Sequence, residues 1–250
     1  MYPSSQVIVL SVYFSHAVIV FGTWAVIFLD AFKHRPSARL YHYILSNVAL
    51  VSSLCYLCLA ANTMTPWEED FFHVKSSRAW HSVLPRYIDW CVSTPLQLVV
   101  MGTMGRLSVG NIFELVSLQL IMIIAGALGH IYDSVFRWIF FSIGAIAFYP
   151  VYVFLFEDFD HEVVARFSGR ETADQFFFWG RYLLMTWLIY PILWILLVTD
   201  VANFAVLTII FSFMDLCAKG GLVYWLFTCC YRSLHLSENG EEKIAEDETT

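Results

Sequence analysis

An all-α fold of seven membrane-spanning helices is what the sequence predicts, and three observations predict it. The composition is 59% hydrophobic and 18% aromatic, with a mean hydropathy of +0.65, too apolar for a chain whose surface is wetted by water. Seven apolar stretches follow one another, each near or above the roughly 20 residues that a helix needs to cross the hydrocarbon layer. Short connections separate them, so 250 residues hold seven spans and little else.

In chain order the stretches run over 7–32, 38–61, 83–105, 109–132, 135–157, 175–199 and 201–231, here spans A to G. Their apolar runs are continuous instead of alternating. That pattern selects helix over barrel strand, because a lone span in hydrocarbon must satisfy its own backbone hydrogen bonds. Span A lacks the basic flank and cleavage pattern of a removable signal and is expected to stay in the mature protein.

Lys and Arg set the expected orientation. Lys33, Arg35 and Arg39 lie between A and B, Arg106 follows C, Arg166, Arg170 and Arg181 surround the E to F connection, and Arg232 ends G. The opposite connections hold only Lys75, Arg78 and Arg137, which places the N-terminus outside and the C-terminus in the cytoplasm. One membrane domain spans 1–235. The tail, 236–250, is acidic and aperiodic, and is expected to be disordered.

The net charge of -7 comes largely from that tail and from Glu157, Asp158, Asp160 and Glu162 after span E. Nothing in it points to a nucleic-acid partner; the expected surroundings are a lipid bilayer, with the plasma membrane as location. The six cysteines, Cys55, Cys58, Cys91, Cys217, Cys229 and Cys230, fall within spans or at a span's inner end, a pattern of apolar packers and not of a disulfide or zinc framework. Cys229 and Cys230 sit where palmitoylation occurs. No metal-ligand set is read from the sequence.

Ionisable groups inside a span cost a few kcal/mol or more unless paired, so they are functional candidates. They concentrate in two spans. In span C, Arg86, Asp89 and Ser93 recur at i, i+3 and i+7 on one helical face; in span G, Asp215 and Lys219 stand one turn apart. Two buried ion pairs locking the bundle are one reading. The other makes Lys219 a covalent attachment point, because a lysine in an apolar pocket loses its proton readily and condenses with an aldehyde. The protonated imine then needs anions beside it, supplied by Asp89 and Asp215, with Arg86 balancing the excess negative charge.

The run Arg86-Tyr87-Ile88-Asp89-Trp90-Cys91-Val92-Ser93-Thr94-Pro95-Leu96 resembles the third-helix motif of microbial rhodopsins. The Asp215 to Lys219 spacing resembles that of their seventh helix, and Trp187-Leu188-Ile189-Tyr190-Pro191 with Trp194 looks like their aromatic wall around the chromophore. The resemblance covers essentially all seven spans. It implies all-trans-retinal as cofactor, Lys219 as the Schiff-base lysine, Asp89 as primary counterion and proton acceptor, Asp215 as second counterion, and a counterion network of Arg86, Tyr56 and Tyr190. For the pocket it implies Trp90 and Trp187 around the polyene, with Ser93, Thr94, Pro95, Gln119, Met122, Gly126, Phe141, Gly144, Pro191 and Trp194. A homo-oligomer is expected, and enzymatic chemistry is not.

Departures from the family's pattern bear on the mode of action. A proton pump of this kind commonly carries a donor carboxylate where this chain has Val100, and a pair of release glutamates where it has Thr199 and Leu207, although Asp200 adjoins the first. An apolar side chain donates no proton, so reprotonation should be slow. Three readings follow: a light-gated ion channel, a weak or unusual proton pump, and a sensory photoreceptor. The missing relays tip the sequence reading toward the channel, with Ser46, Asn47, Ser52, Ser53, Ser93 and Gln119 as candidate polar lining. A G-protein-coupled receptor is disfavoured by the mid-span motifs, and a solute transporter by the lack of internal repeats.

Overall fold

The computed structural model describes residues 3–34, 36, 39–64, 77–105, 107–132, 134–154, 170–221 and 223. Among these residues the chain is all-helical: α1 (Pro3–Ala31), α2 (Arg39–Met64), α3 (Ser77–Met104), α4 (Val109–Ile131), α5 (Phe136–Val153), α6 (Arg170–Val198) and α7 (Phe204–Leu216), with a π-helical turn over Cys217–Gly221 continuing α7. The acidic tail, the acidic cluster after α5, Arg35, Lys75, Arg106, Arg166, Arg232, Cys229 and Cys230 lie outside the described residues.

Three helices begin earlier than their apolar stretches. α1 starts at Pro3 instead of 7, α3 at Ser77 instead of 83 and α6 at Arg170 instead of 175, because a helix can extend past the hydrocarbon with polar residues while hydropathy records only the apolar part. Among the described residues, five helices are long and apolar enough to cross a membrane. α3 is the least apolar of the seven, as its Arg86 and Asp89 require, and α7 is described for only 13 residues before its π turn.

Neighbours in sequence pack as neighbours in space from α1 to α5, and α7 returns to α1 and α6. α5 meets α6 through aromatic rings: Phe141 stacks on Trp194 with centroids 5.3 Å apart, and Trp138 meets the same indole edge-on. Arg137 adds a tie, its guanidinium donating to the carbonyl oxygens of Gly129 and Val198. Side-chain caps start α4 and α7, where Ser108 accepts from the Asn111 amide and Asn203 from that of Ala205. The α6–α7 connection turns through Asp200, at φ 53°.

The distribution of polarity is that of a protein dissolved in lipid. Phe14, Phe21, Ile146, Met185 and Phe213 are exposed, whereas Arg86, Asp89, Gln97, Gln119, Asp215 and Lys219 are buried. One end of the interior is closed by an apolar cluster that includes Leu45, Val48, Leu98, Val100, Leu115, Leu183, Leu184 and Trp187. The polar groups gather beside it.

Candidate functional site

α3 and α7 bring the charged residues together. Lys219 Nζ donates to Asp89 Oδ2 and lies 3.8 Å from Asp215 Oδ1, so the lysine stands between two carboxylates. Arg86 Nε is 3.9 Å from the far oxygen of Asp215, and its guanidinium covers the face of Phe211 at 4.8 Å. Two cations therefore face two anions in an interior sealed from solvent, the balance that burial of such groups demands.

The two carboxylates differ in their surroundings. Asp215 accepts from Tyr56 Oη at 2.6 Å, Tyr190 Oη at 2.6 Å and Trp90 Nε1 at 2.9 Å, donors that arrive from α2, α6 and α3. Asp89 accepts from Ser52 Oγ at 3.1 Å and from Lys219 through one oxygen, and its Oδ1 has no hydrogen-bond partner. Asp215 is thus held by fixed donors, while Asp89 keeps acceptor capacity free. His16 supports the first network, stacking on Tyr56 with centroids 3.5 Å apart while its Nδ1 lies 3.1 Å from the Ser212 carbonyl oxygen.

A cavity of about 330 Å³ opens from these charges between α3, α4, α5, α6 and α7. That lies in the range of roughly 300–1,000 Å³ usual for ligand sites. Lys219, Asp215 and Arg86 line it, and the rest of the wall is mostly aromatic and aliphatic. Of the residues expected there, Trp90, Thr94, Gln119, Met122, Gly126, Phe141, Gly144, Trp187, Tyr190, Pro191 and Trp194 form its wall. Ser93 and Pro95 do not: both are buried but off the lining, and Ser93 Oγ has no hydrogen-bond partner. They lie on the same helix as Trp90 and Thr94, which reach the cavity. Asp89 and Tyr56 stand behind the wall.

Glycines of α4 and α5 lie on the cavity wall: a Cβ on Gly144 would rest in ordinary contact, 3.4 Å from the Met122 carbonyl oxygen. At Gly126 the carbonyl oxygen accepts from Trp194 Nε1 at 3.1 Å and from Tyr87 Oη at 3.3 Å, which fixes both rings. The sequence reading missed Tyr87, Gln97 and Phe211 among the lining residues. Their helical spacings would have found them: Tyr87, Trp90, Thr94 and Gln97 recur at three and four residues, and Phe211 precedes Asp215 by one turn. Gln97 Nε2 also donates to the Ala218 carbonyl oxygen at 3.1 Å, tying α3 to the π turn that carries Lys219.

Comparison with known proteins gives this arrangement its family. The profile described as bacteriorhodopsin-like protein matches residues 6–232. The chain belongs to the bacteriorhodopsin-like family. Among relatives of this bacteriorhodopsin-like protein is the opsin-like protein carO of Fusarium fujikuroi, 29% identical over 188 residues that cover 71% of this chain and 58% of the relative. The match thus spans little more than half the length of that protein. The crystal structure of a light-driven proton pump from Leptosphaeria maculans superimposes with a TM-score of 0.74 at 24% identity, covering 91% of this chain and 96% of the other. Cyanorhodopsin from Calothrix gives a TM-score of 0.75 at 21% identity, covering 92% and 96%. These two likenesses establish the fold.

Retinal is the chromophore of the bacteriorhodopsin-like family, in its all-trans form in the ground state of pumps. The residues here fit it. An elongated hydrocarbon ending in an aldehyde needs an apolar, aromatic cavity with an amine at one end, and Lys219 supplies a buried amine on the wall of such a cavity.

Proposed function

We propose that this protein is a light-driven proton transporter of slow turnover, holding all-trans-retinal on Lys219. The observation that carries the reading is the direct contact of Lys219 Nζ with Asp89, a carboxylate that has an unpartnered oxygen, while Asp215 is saturated by three donors. Retinal joined to Lys219 Nζ would supply light absorption and a change of shape on isomerisation. Asp89 is placed to take a proton from the Lys219 nitrogen, with Ser52 Oγ steadying the receiving carboxyl. Asp215 remains an anion, fixed by Tyr56, Tyr190 and Trp90, and Arg86 compensates its charge. Trp90, Trp187 and Trp194 confine the ligand and keep bulk water from the nitrogen.

The polar residues considered for a channel lining favour transfer over conduction. Ser46 Oγ and Asn47 Nδ2 donate to the Tyr43 carbonyl oxygen, Ser53 Oγ to that of Ala17, Ser52 Oγ to Asp89, and Gln119 Nε2 to Thr94 Oγ1. The bonds of Ser46 and Asn47 stay within α2, those of Ser52, Ser53 and Gln119 tie neighbouring helices, and Ser93 Oγ has no hydrogen-bond partner; the apolar cluster around Val100 interrupts a polar path. We therefore prefer a pump to the channel that the missing relays alone suggested. Val100 and Leu207 are both fully buried in apolar clusters, which supports slow return of the proton and keeps a sensory role as the second reading. Orientation with the basic connections in the cytoplasm, a plasma-membrane location and homo-oligomerisation are part of the same proposal.

Light-minus-dark infrared difference spectroscopy tests proton acceptance. A carboxylic C=O band should appear on illumination and vanish in Asp89→Asn. A band that persists in that variant would assign the acceptor elsewhere.

A further inference from the structure

A second group of ligating side chains lies outside the chromophore site, where α1 ends and α2 begins. Asp30 is in the last turn of α1, His34 just beyond it, and His42 in the first turn of α2. One ligand atom from each lies within 4.8 Å of the others. His34 Nε2 is 3.2 Å and His42 Nε2 3.6 Å from the same oxygen of Asp30, and the two imidazole rings are 4.7 Å apart.

From this convergence we propose that Asp30, His34 and His42 bind a divalent transition-metal ion of the Zn²⁺ class. The second distance exceeds an ordinary hydrogen bond. The His34 distance is close to the edge of a tetrahedral zinc site, where ligand atoms at about 2.0–2.1 Å from the metal lie about 3.3 Å apart, and the His42 ring would shift inward to reach it. Two imidazole nitrogens and one carboxylate oxygen suit Zn²⁺ and its neighbours, whereas Ca²⁺ and Mg²⁺ require sets of oxygens. His42 is buried and the other two are half-buried, so three protein ligands are largely withdrawn from solvent, and a remaining position is left for water.

The surrounding contacts hold the ligands in place. Lys33 Nζ donates to the other oxygen of Asp30 at 2.9 Å, orienting the carboxylate, and Arg39 Nε donates to the His34 carbonyl oxygen at 2.8 Å, fixing the turn. Lys33 is a largely exposed side chain that stays on Oδ1 or swings into solvent when the metal takes Oδ2. A bound ion clamps α1 to α2 at this end of the bundle. The sequence carries the set as Asp30, His34 and His42 at separations of four and eight residues, straddling a connection that hides it from a motif search.

Calorimetric titration of the full-length, detergent-solubilised protein with ZnCl₂ tests the site, alongside His34→Ala and His42→Ala. One saturable site per chain is expected in the wild type, unaffected by excess MgCl₂. Each variant should weaken it by more than the roughly 10–100-fold that loss of an outer-shell partner costs. Because His42 is buried, His34→Ala at the edge of the cluster serves as the variant that keeps the fold, checked by its helical circular dichroism. The absence of saturable binding in the wild type, or an affinity in both variants unchanged from the wild type, would leave only a hydrogen-bonded cluster and overturn the proposal.

Discussion

Asp215 and Asp89 are the same residue type on facing helices, yet their neighbours prepare them for different tasks. Three donors within 2.9 Å fix the charge of Asp215, whereas Asp89 has one serine, the lysine and an oxygen to spare. Removing the Tyr56 hydroxyl should therefore loosen a structural bond. Tyr56→Phe is expected to lower stability by about 1–2 kcal/mol in thermal unfolding, between membrane-protein averages and the value for a bond to a charged group. Lys219→Ala should give no visible absorption band on addition of all-trans-retinal, where the wild type develops one. Asp89→Asn should move the band to longer wavelength, since a missing anion destabilises the cationic ground state. The four charged groups were legible in the sequence because ionisable groups are costly in a span. The bonds of Ser52 to Asp89 and of Gln97 to the Ala218 carbonyl oxygen were not, since each depends on the register between α3 and a neighbouring element. Ser93 shows the converse, sharing the general face of Asp89 but missing the cavity.

At the scale of the element, hydropathy located all seven helices and misjudged the polar starts of α1, α3 and α6. The π turn at Cys217–Gly221 has no pattern in the residues that announces it, although such turns often occur at functional sites. Close helix approach was similarly hidden. A Cβ at Gly129 would lie 3.0 Å from Trp194 Cζ2 and 3.1 Å from the Arg137 carbonyl oxygen, and the second atom, being backbone, cannot easily give way. Gly129→Ala should therefore part α4 from α5, lower the melting temperature, and shift the absorption band because Trp194 belongs to the cavity wall. An unchanged band and melting temperature would mean that this contact is soft.

Among the described residues, Arg86, Asp89, Asp215 and Lys219 are buried, large aromatic and aliphatic side chains are exposed on the outside, and an apolar cluster fills part of the interior around Val100. Composition announced the first two; the third depended on which residues of α2, α3, α4 and α6 meet around Val100. Restoring a carboxylate there should speed return of the proton to the Lys219 nitrogen. Val100→Asp is expected to shorten photocycle recovery at least tenfold in flash photolysis, while costing roughly 2.5–3.5 kcal/mol of stability if the new group is charged. The channel reading from sequence rested on missing relays; the cross-helix bonds of Ser52, Ser53 and Gln119 have no signature in the sequence. The most direct test of light-driven proton transport is the photocurrent recorded across a range of voltages and ionic gradients. A small current of one sign throughout is expected, and a current that reverses at an ion's equilibrium potential, or no current at all, would contradict the account.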